Sequence, residues 1–244
     1  MNTSGNTVLI TGGATGIGFA LAEALLALGN EVIVCGRRRA RLDAGRARHP
    51  ALHTRVADVS RASGRTALVS WVLRRFPNLN VLVNNAGVQR AVDFLRGPRD
   101  LPLADEELAT NLAGPIHLSA LLIPHLRRRR ASAIVNISSG LGFTPLAAVP
   151  VYCATKAGVH AFSLTLRHQL RQTRVKVFEV APPIVPTELS GERERPDEAE
   201  FTMSPEAVAK GIVAALRRDR YEVALGAAAA LHRKRDKLFH VIND

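Results

Sequence analysis

A short apolar run near the start of the chain, followed at once by a glycine-rich segment, constrains the fold more than any other feature. Residues 7–10 read TVLI, which is typical of a strand buried on both faces of a parallel sheet. Residues 11–18 then read TGGATGIG, and a helical pattern continues to Leu28. A strand, a glycine turn and a helix in this order predict a dinucleotide-binding unit, in which a pyrophosphate lies on the helix N-terminus.

The alternation of strand and helix continues along the whole chain. Further strands are predicted at residues 31–34, 53–56, 80–83, 133–137, 175–180 and 221–225. Helices are predicted between them, including 61–75, 104–129 and 151–172, with a last helix from about 205 to 218 and a helical tail to Phe239. This order predicts an α/β fold: a Rossmann-like, doubly wound parallel sheet of about seven strands with helices on both faces.

The length of 244 residues fits one large domain, so residues 1–244 are expected to form a single NAD(P)-binding domain. The segment 188–203 is charged, contains Gly191 and Pro196, and shows no periodicity. We expect this segment to be a lid over the pocket.

Composition narrows the classes of function. The net charge is +12, but the arginines are spread from Arg37 to Arg235 without interleaved aromatic residues. This distribution favours a solvated basic surface over a specific nucleic-acid site. The two cysteines, Cys35 and Cys153, form neither a disulfide framework nor a zinc-binding pattern, and no metal is expected. With no apolar run long enough to span a bilayer and no signal-peptide pattern, a cytoplasmic protein without a membrane partner is expected.

The residues after the second predicted strand indicate which dinucleotide is bound. Enzymes that use NAD place an acid about 20 residues beyond the glycine turn, whereas NADP enzymes use a nearby arginine for the 2′-phosphate. Gly36 stands at this position here, and Arg37 and Arg38 follow it. Because a guanidinium binds phosphate by charge-assisted hydrogen bonds, NADP(H) is predicted over NAD(H). The alternative is that these arginines only begin a solvated helix.

Polar residues at the ends of the next strands are further candidates. Asp58 is placed to accept a hydrogen bond from an adenine amino group, or to cap the helix that follows, and the two roles are compatible. Residues 84–87, NNAG, are small or carry amides, which suits a backbone passing close to a cofactor ribose. Ser138 and Ser139 end the fifth strand, where ligands bind in open α/β sheets.

A tyrosine and a lysine four residues apart are the strongest candidates for chemistry. Tyr152 and Lys156 lie in a predicted helix, so they share a face. A cation beside a phenol favours the phenolate, and we therefore predict that Lys156 lowers the pKa of Tyr152 into a useful range. Taken alone, the pair also fits a chance arrangement on a solvated helix face.

A proline singles out one asparagine. Pro115 lies inside the predicted helix at 104–129, and it offers no N–H to the carbonyl four residues earlier. That carbonyl belongs to Asn111. The main-chain oxygen of Asn111 is therefore predicted to be available to another donor, such as a water.

These motifs together resemble one family. The TGGATGIG turn, NNAG, Asn111, the serine pair, YCATK and the 182–187 segment have the order and spacing of single-domain short-chain dehydrogenases/reductases, and are most similar to the DltE-like oxidoreductases, which also carry APP. The resemblance implies a proton-relay water on Asn111, a substrate contact for Ser139, an acid/base role for Tyr152, and a ribose contact for Lys156. It also implies a homodimer or homotetramer acting on a small-molecule substrate.

The residues expected to contact the cofactor are Gly12, Thr15, Gly16, Ile17, Gly18, Arg37, Arg38, Asp58, Val59, Asn85, Ala86, Gly87, Tyr152, Lys156, Pro182, Val185 and Thr187. The residues expected to contact the substrate are Val88, Leu141, Val149 and Pro183. Two positions depart from the family pattern. Pro183 replaces a usual glycine, and Thr15 stands where many NADP-dependent relatives have a second arginine.

The expected function is therefore an NADP(H)-dependent oxidoreductase that transfers a hydride between the nicotinamide and a carbonyl or secondary alcohol, with Tyr152 as general acid/base. The alternative is a cofactor-sensing or nucleic-acid-binding protein on the same fold, without turnover.

Overall fold

The computed structural model describes residues 1–187, 189 and 201–243. One seven-stranded sheet, with every pairing parallel, has the order β3-β2-β1-β4-β5-β6-β7. The strands are β1 (Thr7–Thr11), β2 (Glu31–Gly36), β3 (His53–Val56), β4 (Leu79–Asn84), β5 (Ser132–Ile137), β6 (Val175–Ala181) and β7 (Glu222–Ala224). The helices are α1 (Gly16–Ala27), α2 (Arg39–Arg48), α3 (Ala62–Arg75), α4 (Leu101–Glu107), α5 (Gly114–Leu126), α6 (Pro150–Gln169), α7 (Pro205–Arg217), α8 (Ala228–Lys234) and α9 (Phe239–Asn243).

Helices cover both faces of the sheet, as the sequence predicts. On one face Val8 and Ile10 of β1 pack with residues of α1, α2 and α7, while on the other face Leu9 packs with residues of α3, α5 and α6. All five residues of β1 are buried, which explains why this strand reads as an unbroken apolar run. The predicted doubly wound α/β fold is confirmed.

The strand order places the carboxyl ends of β1, β4 and β5 side by side. Strand order reverses between β1 and β4, since β2 and β3 lie on one side of β1 and the remaining strands on the other. In open α/β sheets ligands bind in the crevice at such a switch point. The glycine turn, the 84–87 segment and the serine pair all follow these three strands, so the fold brings them to one edge.

The predicted long helix at 104–129 is wrong in detail. The structure has α4, then a π-helical segment Leu108–Ala113, then α5. The N–H of Gly114 donates to the carbonyl of Ala109, five residues earlier, and Pro115 falls in the first turn of α5. Ala113 and Gly114 are helical, so Pro115 lies within a continuous helical run and not at a free N-terminus. The five-residue spacing that accommodates the proline lies just before it, in the turns that hold Asn111.

The tail is also interrupted. The predicted helix through Phe239 breaks at Arg235, whose φ of 47° is left-handed, and a short 3₁₀ turn separates α8 from α9. The predicted lid at 188–203 lies mostly outside the described residues and remains a prediction. In the part of the chain that the structure describes, no helix is both long and apolar enough to cross a membrane.

Candidate active site

A cleft of ≈ 1020 Å³ runs along the carboxyl ends of the central strands. Its lining includes all of the predicted catalytic and cofactor residues except Asn111 and Gly18, and all of the predicted substrate residues except Val149. The fold therefore brings most of the candidates to one surface, and the three exceptions have specific structural reasons.

Two glycines form a backbone cradle at the start of α1. Gly12 and Gly16 have φ values of 64° and 55°, which favour glycine. A Cβ on Gly12 would lie 2.8 Å from the Cα of Ala86, and one on Gly16 would lie 2.9 Å from Cγ2 of Thr187. Side chains are thus excluded by both conformation and space. The first turn of α1 contains no acidic residue, so its N–H groups and dipole can receive an anion.

Gly18 and Asn85 hold this cradle against β4. A Cβ on Gly18 would lie 2.5 Å from Nδ2 of Asn85, so Gly18 permits close packing and does not line the cleft. The same Nδ2 donates to the carbonyl oxygens of Thr11 (2.9 Å) and Gly12 (3.2 Å). The Asn85 amide side chain therefore fixes the glycine turn, and its predicted cofactor contact stays a prediction.

The two arginines after β2 have different partners. Nη1 of Arg37 lies 2.9 Å from Oε1 of Glu106, and Arg90 lies 3.0 Å from the other oxygen of the same carboxylate. Nη2 of Arg38 lies 3.4 Å from Oγ1 of Thr15. Arg38 thus reaches the position where relatives carry the second arginine, whereas Arg37 is engaged by a carboxylate.

Asp58 does not cap α3. Its Oδ1 accepts from the N–H and the hydroxyl of Ser60 at 2.9 and 2.6 Å, while the helix begins after Arg61 without a side-chain cap. These bonds with Ser60 and the nearby arginine charges lower the pKa of Asp58 despite partial burial. The carboxylate lies in the cleft wall, where the adenine role remains a prediction.

The pKa of Tyr152 shifts in the direction opposite to the sequence prediction. Burial raises it to about 12, a hydrogen bond with Ser139 opposes this rise, and the nearby groups of Cys153 and Glu107 add to it. The ammonium of Lys156 lies 5.5 Å from the ring centroid of Tyr152 and donates to the carbonyl of Ile137 at 2.9 Å. The prediction failed because helical spacing shows which residues share a face but not which atom the ammonium contacts.

Lys156 and Ser139 are themselves oriented by backbone groups. Burial lowers the pKa of Lys156 to about 8. The Ser139 hydroxyl accepts from the N–H of Leu141 at 3.2 Å and also bonds the phenol of Tyr152. Both side chains reach the cleft beside Tyr152.

Asn111 does not line the cleft, but its side chain holds together two segments that do. Its side-chain amide bonds the N–H and the carbonyl of Val88, each at 2.8 Å, and also lies 3.2 Å from the hydroxyl of Thr155. The Asn111 side chain thereby ties the loop after β4 to the helix of Tyr152. The proposed role of its main-chain oxygen stays a prediction.

Val149 is a core residue rather than a substrate contact. It precedes α6 and is buried with Tyr152 and Cys153, beneath Leu141 and Leu146 of the cleft wall, without lining the cleft itself. The sequence identified the apolar residues near the α6 N-terminus but could not show which of them reach the cleft surface.

Sequence reasoning missed one wall of the cleft. The C-terminal segment contributes Ala227, Ala228, Ala230, Leu231, Lys234, Leu238, Val241 and Ile242. Leu189 and Phe201, from within the segment predicted to be a lid, also line the cleft. A Cβ on Gly140 would lie 2.8 Å from Leu231, which shows how closely α8 approaches the serine loop. The helical spacing of Leu231, Leu238 and Ile242 was the available signal.

Comparison with known proteins identifies the family. The model of the short chain dehydrogenase family matches residues 6–198. The chain belongs to this family. It is 55% identical over 190 residues to the uncharacterized oxidoreductase DltE of Bacillus subtilis (strain 168), covering 78% of this chain and 75% of that protein.

Solved structures agree with this assignment. A short chain dehydrogenase from Burkholderia cenocepacia J2315 in complex with NADP has a TM-score of 0.83 and 26% identity, covering 96% of this chain and 94% of that chain. A short chain dehydrogenase/reductase from Burkholderia phymatum in complex with NAD has a TM-score of 0.85 over 100% of this chain and 97% of that chain, and at 22% identity it shows the shared fold alone. As a short-chain dehydrogenase, the protein is an NAD(P)-dependent oxidoreductase acting on a small molecule.

Proposed function

We propose that this short-chain dehydrogenase reduces a carbonyl compound with NADPH and that Tyr152 donates the proton. The observation that carries the proposal is the joint placement of Ser139, Tyr152 and Lys156 in the cleft, opposite the glycine cradle. Family membership favours turnover over the sensing alternative.

The residues present fit a dinucleotide. Gly12 and Gly16 leave open backbone at the N-terminus of α1, where a pyrophosphate would lie, and Asp58, Val59 and the 85–87 segment line the path toward Tyr152. Pro182, Val185 and Thr187 form the opposite wall and would hold the nicotinamide end. The bound cofactor supplies the hydride.

A neutral phenol is the form that carbonyl reduction needs. With its pKa raised to about 12, Tyr152 keeps its proton at neutral pH and can give it to an oxyanion developing beside it. Ser139 would donate to the same oxygen, which stabilises the negative charge as it forms. The protonated phenol is the form that the proposed reduction requires.

Lys156 has two tasks in this proposal. Its ammonium is anchored on Ile137 beside the ring of Tyr152, where it would also contact the cofactor ribose. Because its pKa is about 8, it can release and regain a proton near neutral pH, which suits a relay that returns a proton to Tyr152. Asn111, tied to the same helix through Thr155, is the proposed holder of the relay water.

The arginine arrangement supports a preference for NADP(H). Arg38 reaches Thr15 at the rim of the pyrophosphate site and is the proposed main ligand of the 2′-phosphate. Arg37 is the second candidate, and its guanidinium already shares the carboxylate of Glu106 with Arg90.

The substrate end of the cleft favours an apolar carbonyl compound. Leu141, Leu146, Leu231 and Ile242 line it, and Pro183 adds a rigid apolar surface. Leu189 and Phe201, at the ends of the 188–203 segment, also reach the cleft, which supports the proposal that this segment is a lid. A bulky aliphatic or cyclic ketone is therefore the proposed substrate class.

Exposed leucines support the proposed dimer or tetramer. Leu121 on α5 and Leu164 on α6 are each 42% exposed, and Leu108 beside Asn111 is 43% exposed. Burying them in a helix-to-helix contact between two copies would remove apolar surface from water. We further propose a cytoplasmic location, as expected from the sequence.

A panel of apolar ketones and aldehydes, followed by nicotinamide absorbance with NADPH and with NADH, tests the proposal. The expected result is turnover of at least one ketone, faster with NADPH, with the matching alcohol as product. Tight NADPH binding without turnover of any compound in such a panel would contradict the proposal and favour the sensing alternative.

A further inference from the structure

Three side chains outside the cleft converge at the edge of the sheet. They are His160 on α6, Glu179 on β6 and Glu222 on β7. Each offers one ligand atom, and these atoms all lie within 4.8 Å of one another. None of the three lines the cleft, so this cluster is separate from the proposed catalytic residues.

The register of the sheet forces the two carboxylates together. Glu179 and Glu222 are paired residues on neighbouring parallel strands, and their side chains therefore point to the same face. The side chain of Glu179 is 1% exposed, whereas that of Glu222 is 29% exposed. Two carboxylates this close repel each other unless a cation lies between them.

One carboxylate oxygen in the cluster has no partner among the described residues. Oε2 of Glu179 lies 2.8 Å from Nδ1 of His160, but Oε1 of Glu179 is buried without a hydrogen bond to any of them. Burying an unpaired oxygen of a carboxylate costs about 1–3 kcal/mol or more. A buried, unpaired oxygen on a carboxylate that already shares a cluster with a second carboxylate and an imidazole points to a cation as the missing partner.

The surrounding side chains orient the cluster. Nε2 of His232, on α8, lies 2.8 Å from Oε1 of Glu222. The ring of Phe143 contacts both imidazoles edge-on, with centroids 4.8 Å from His160 and 4.5 Å from His232. Metal-binding side chains are commonly held in this way by a surrounding layer of hydrogen bonds and packing.

We propose that His160, Glu179 and Glu222 bind one divalent transition-metal cation, with Zn²⁺ as the best match. One imidazole nitrogen and two carboxylate oxygens form an acceptable ligand set, and water would complete a tetrahedral shell. Bonds of about 2.1 Å need ligand atoms roughly 3.4 Å apart, so the side chains close around the ion by about 1 Å. Sequence reasoning excluded a metal because these residues lie far apart in the chain.

The site would link the cation to the substrate cleft through α8. His232 bonds Glu222 from the same short helix that presents Ala228 and Leu231 to the cleft. Phe143, between the two imidazoles, follows the loop of Ser139. A bound cation would therefore hold α6, β6, β7 and α8 together. It would also hold in place the wall of the cleft that the C-terminal segment forms.

The competing explanation is two independent histidine–glutamate pairs. A similar histidine–glutamate contact elsewhere in the chain provides a control that distinguishes this explanation from a cation site. Nε2 of His49 lies 2.7 Å from Oε1 of Glu23, and His49 belongs to no cluster of three metal-ligating side chains found among the described residues. His49→Gln is therefore the control for loss of a histidine–glutamate contact alone.

The test is calorimetric titration of Zn²⁺ into full-length protein dialysed against a chelator. The parent and His49→Gln should bind one Zn²⁺ per chain with the same affinity, whereas His160→Gln and Glu222→Gln should bind it at least about tenfold more weakly. Zn²⁺ should also raise the melting temperature of the parent and of His49→Gln, but not of the two cluster variants.

Two outcomes would overturn the proposal. One is the absence of stoichiometric Zn²⁺ binding by the parent. The other is binding by the cluster variants that equals binding by His49→Gln. Circular dichroism verifies the fold of each variant, and if one of the two cluster variants fails to fold, the other decides.

Discussion

The ammonium of Lys156 bonds the carbonyl of Ile137 at 2.9 Å while lying 5.5 Å from the ring centroid of Tyr152. The Tyr–Lys spacing in the sequence does not distinguish the position of the lysine beside the phenol from the effect of burial on the two pKa values, and the structure does. The lysine is held beside the phenol, yet burial dominates both groups and moves the pKa of Tyr152 up and that of Lys156 down. These shifts are consistent with the proposed role of Tyr152 as a proton donor.

Replacing Lys156 with methionine should stabilise the fold while impairing the reaction. The pKa of Lys156 falls from 10.5 to about 8 on folding, so the unfolded chain binds this proton more tightly and the charged form opposes folding below about pH 8. Lys156→Met should raise the free energy of unfolding at pH 7 by on the order of 1–3 kcal/mol.

The measurement is urea unfolding of both proteins at several pH values. The advantage of Lys156→Met should shrink as pH rises from about 8 to 10.5, because the folded parent then sheds the buried charge while the unfolded chain still binds the proton. An advantage independent of pH across this window would show that the buried charge is not the cause.

Removing Arg38 should change cofactor preference more than removing Arg37. A hydrogen-bonded charge pair with phosphate contributes about 1.5–3 kcal/mol, so Arg38→Ala should raise KM for NADPH by roughly 10- to 100-fold and leave KM for NADH nearly unchanged. Arg37→Ala should have a smaller effect, since its guanidinium is bound to Glu106. Equal effects of the two variants, measured in parallel steady-state assays, would refute the assignment of Arg38.

Shortening the side chain of Leu231, in the cleft wall formed by the C-terminal segment, should alter substrate binding without altering cofactor binding. Leu231 lines the cleft from α8 and contacts the serine loop near Gly140. Leu231→Ala should raise KM for bulky apolar ketones by about 3- to 30-fold, because about 1–2 kcal/mol of apolar contact is lost. The dissociation constant for NADPH, measured by fluorescence, should stay unchanged. A change in NADPH affinity of similar size would place Leu231 at the cofactor instead.

The sheet was predictable because its signal is local. Most of the strands read as short apolar or β-branched runs, and burial of β1 on both faces leaves that pattern unbroken, whereas β3 (HTRV) is a weaker signal. The glycine turn was predictable for the same reason, as positive φ at Gly12 and Gly16 requires glycine in the sequence itself.

The remaining differences depend on contacts between distant parts of the chain. Pro115 correctly pointed to an irregular helix around Asn111, but the π-helical turns that absorb it were not predictable from propensity. The wall formed by α8 follows from its packing on Gly140, and an alanine-rich sequence shows only that it is helical. The cluster of His160, Glu179 and Glu222 exists only once β6 and β7 pair.

The most direct test of the central claim is the steady-state rate of ketone reduction by Tyr152→Phe, with NADPH binding measured on the same sample. Loss of the phenol proton should lower kcat by a factor on the order of 10² to 10⁴, while NADPH binds as it does to the parent. Full activity of Tyr152→Phe on a ketone that the parent reduces would contradict the assignment of Tyr152 as the proton donor.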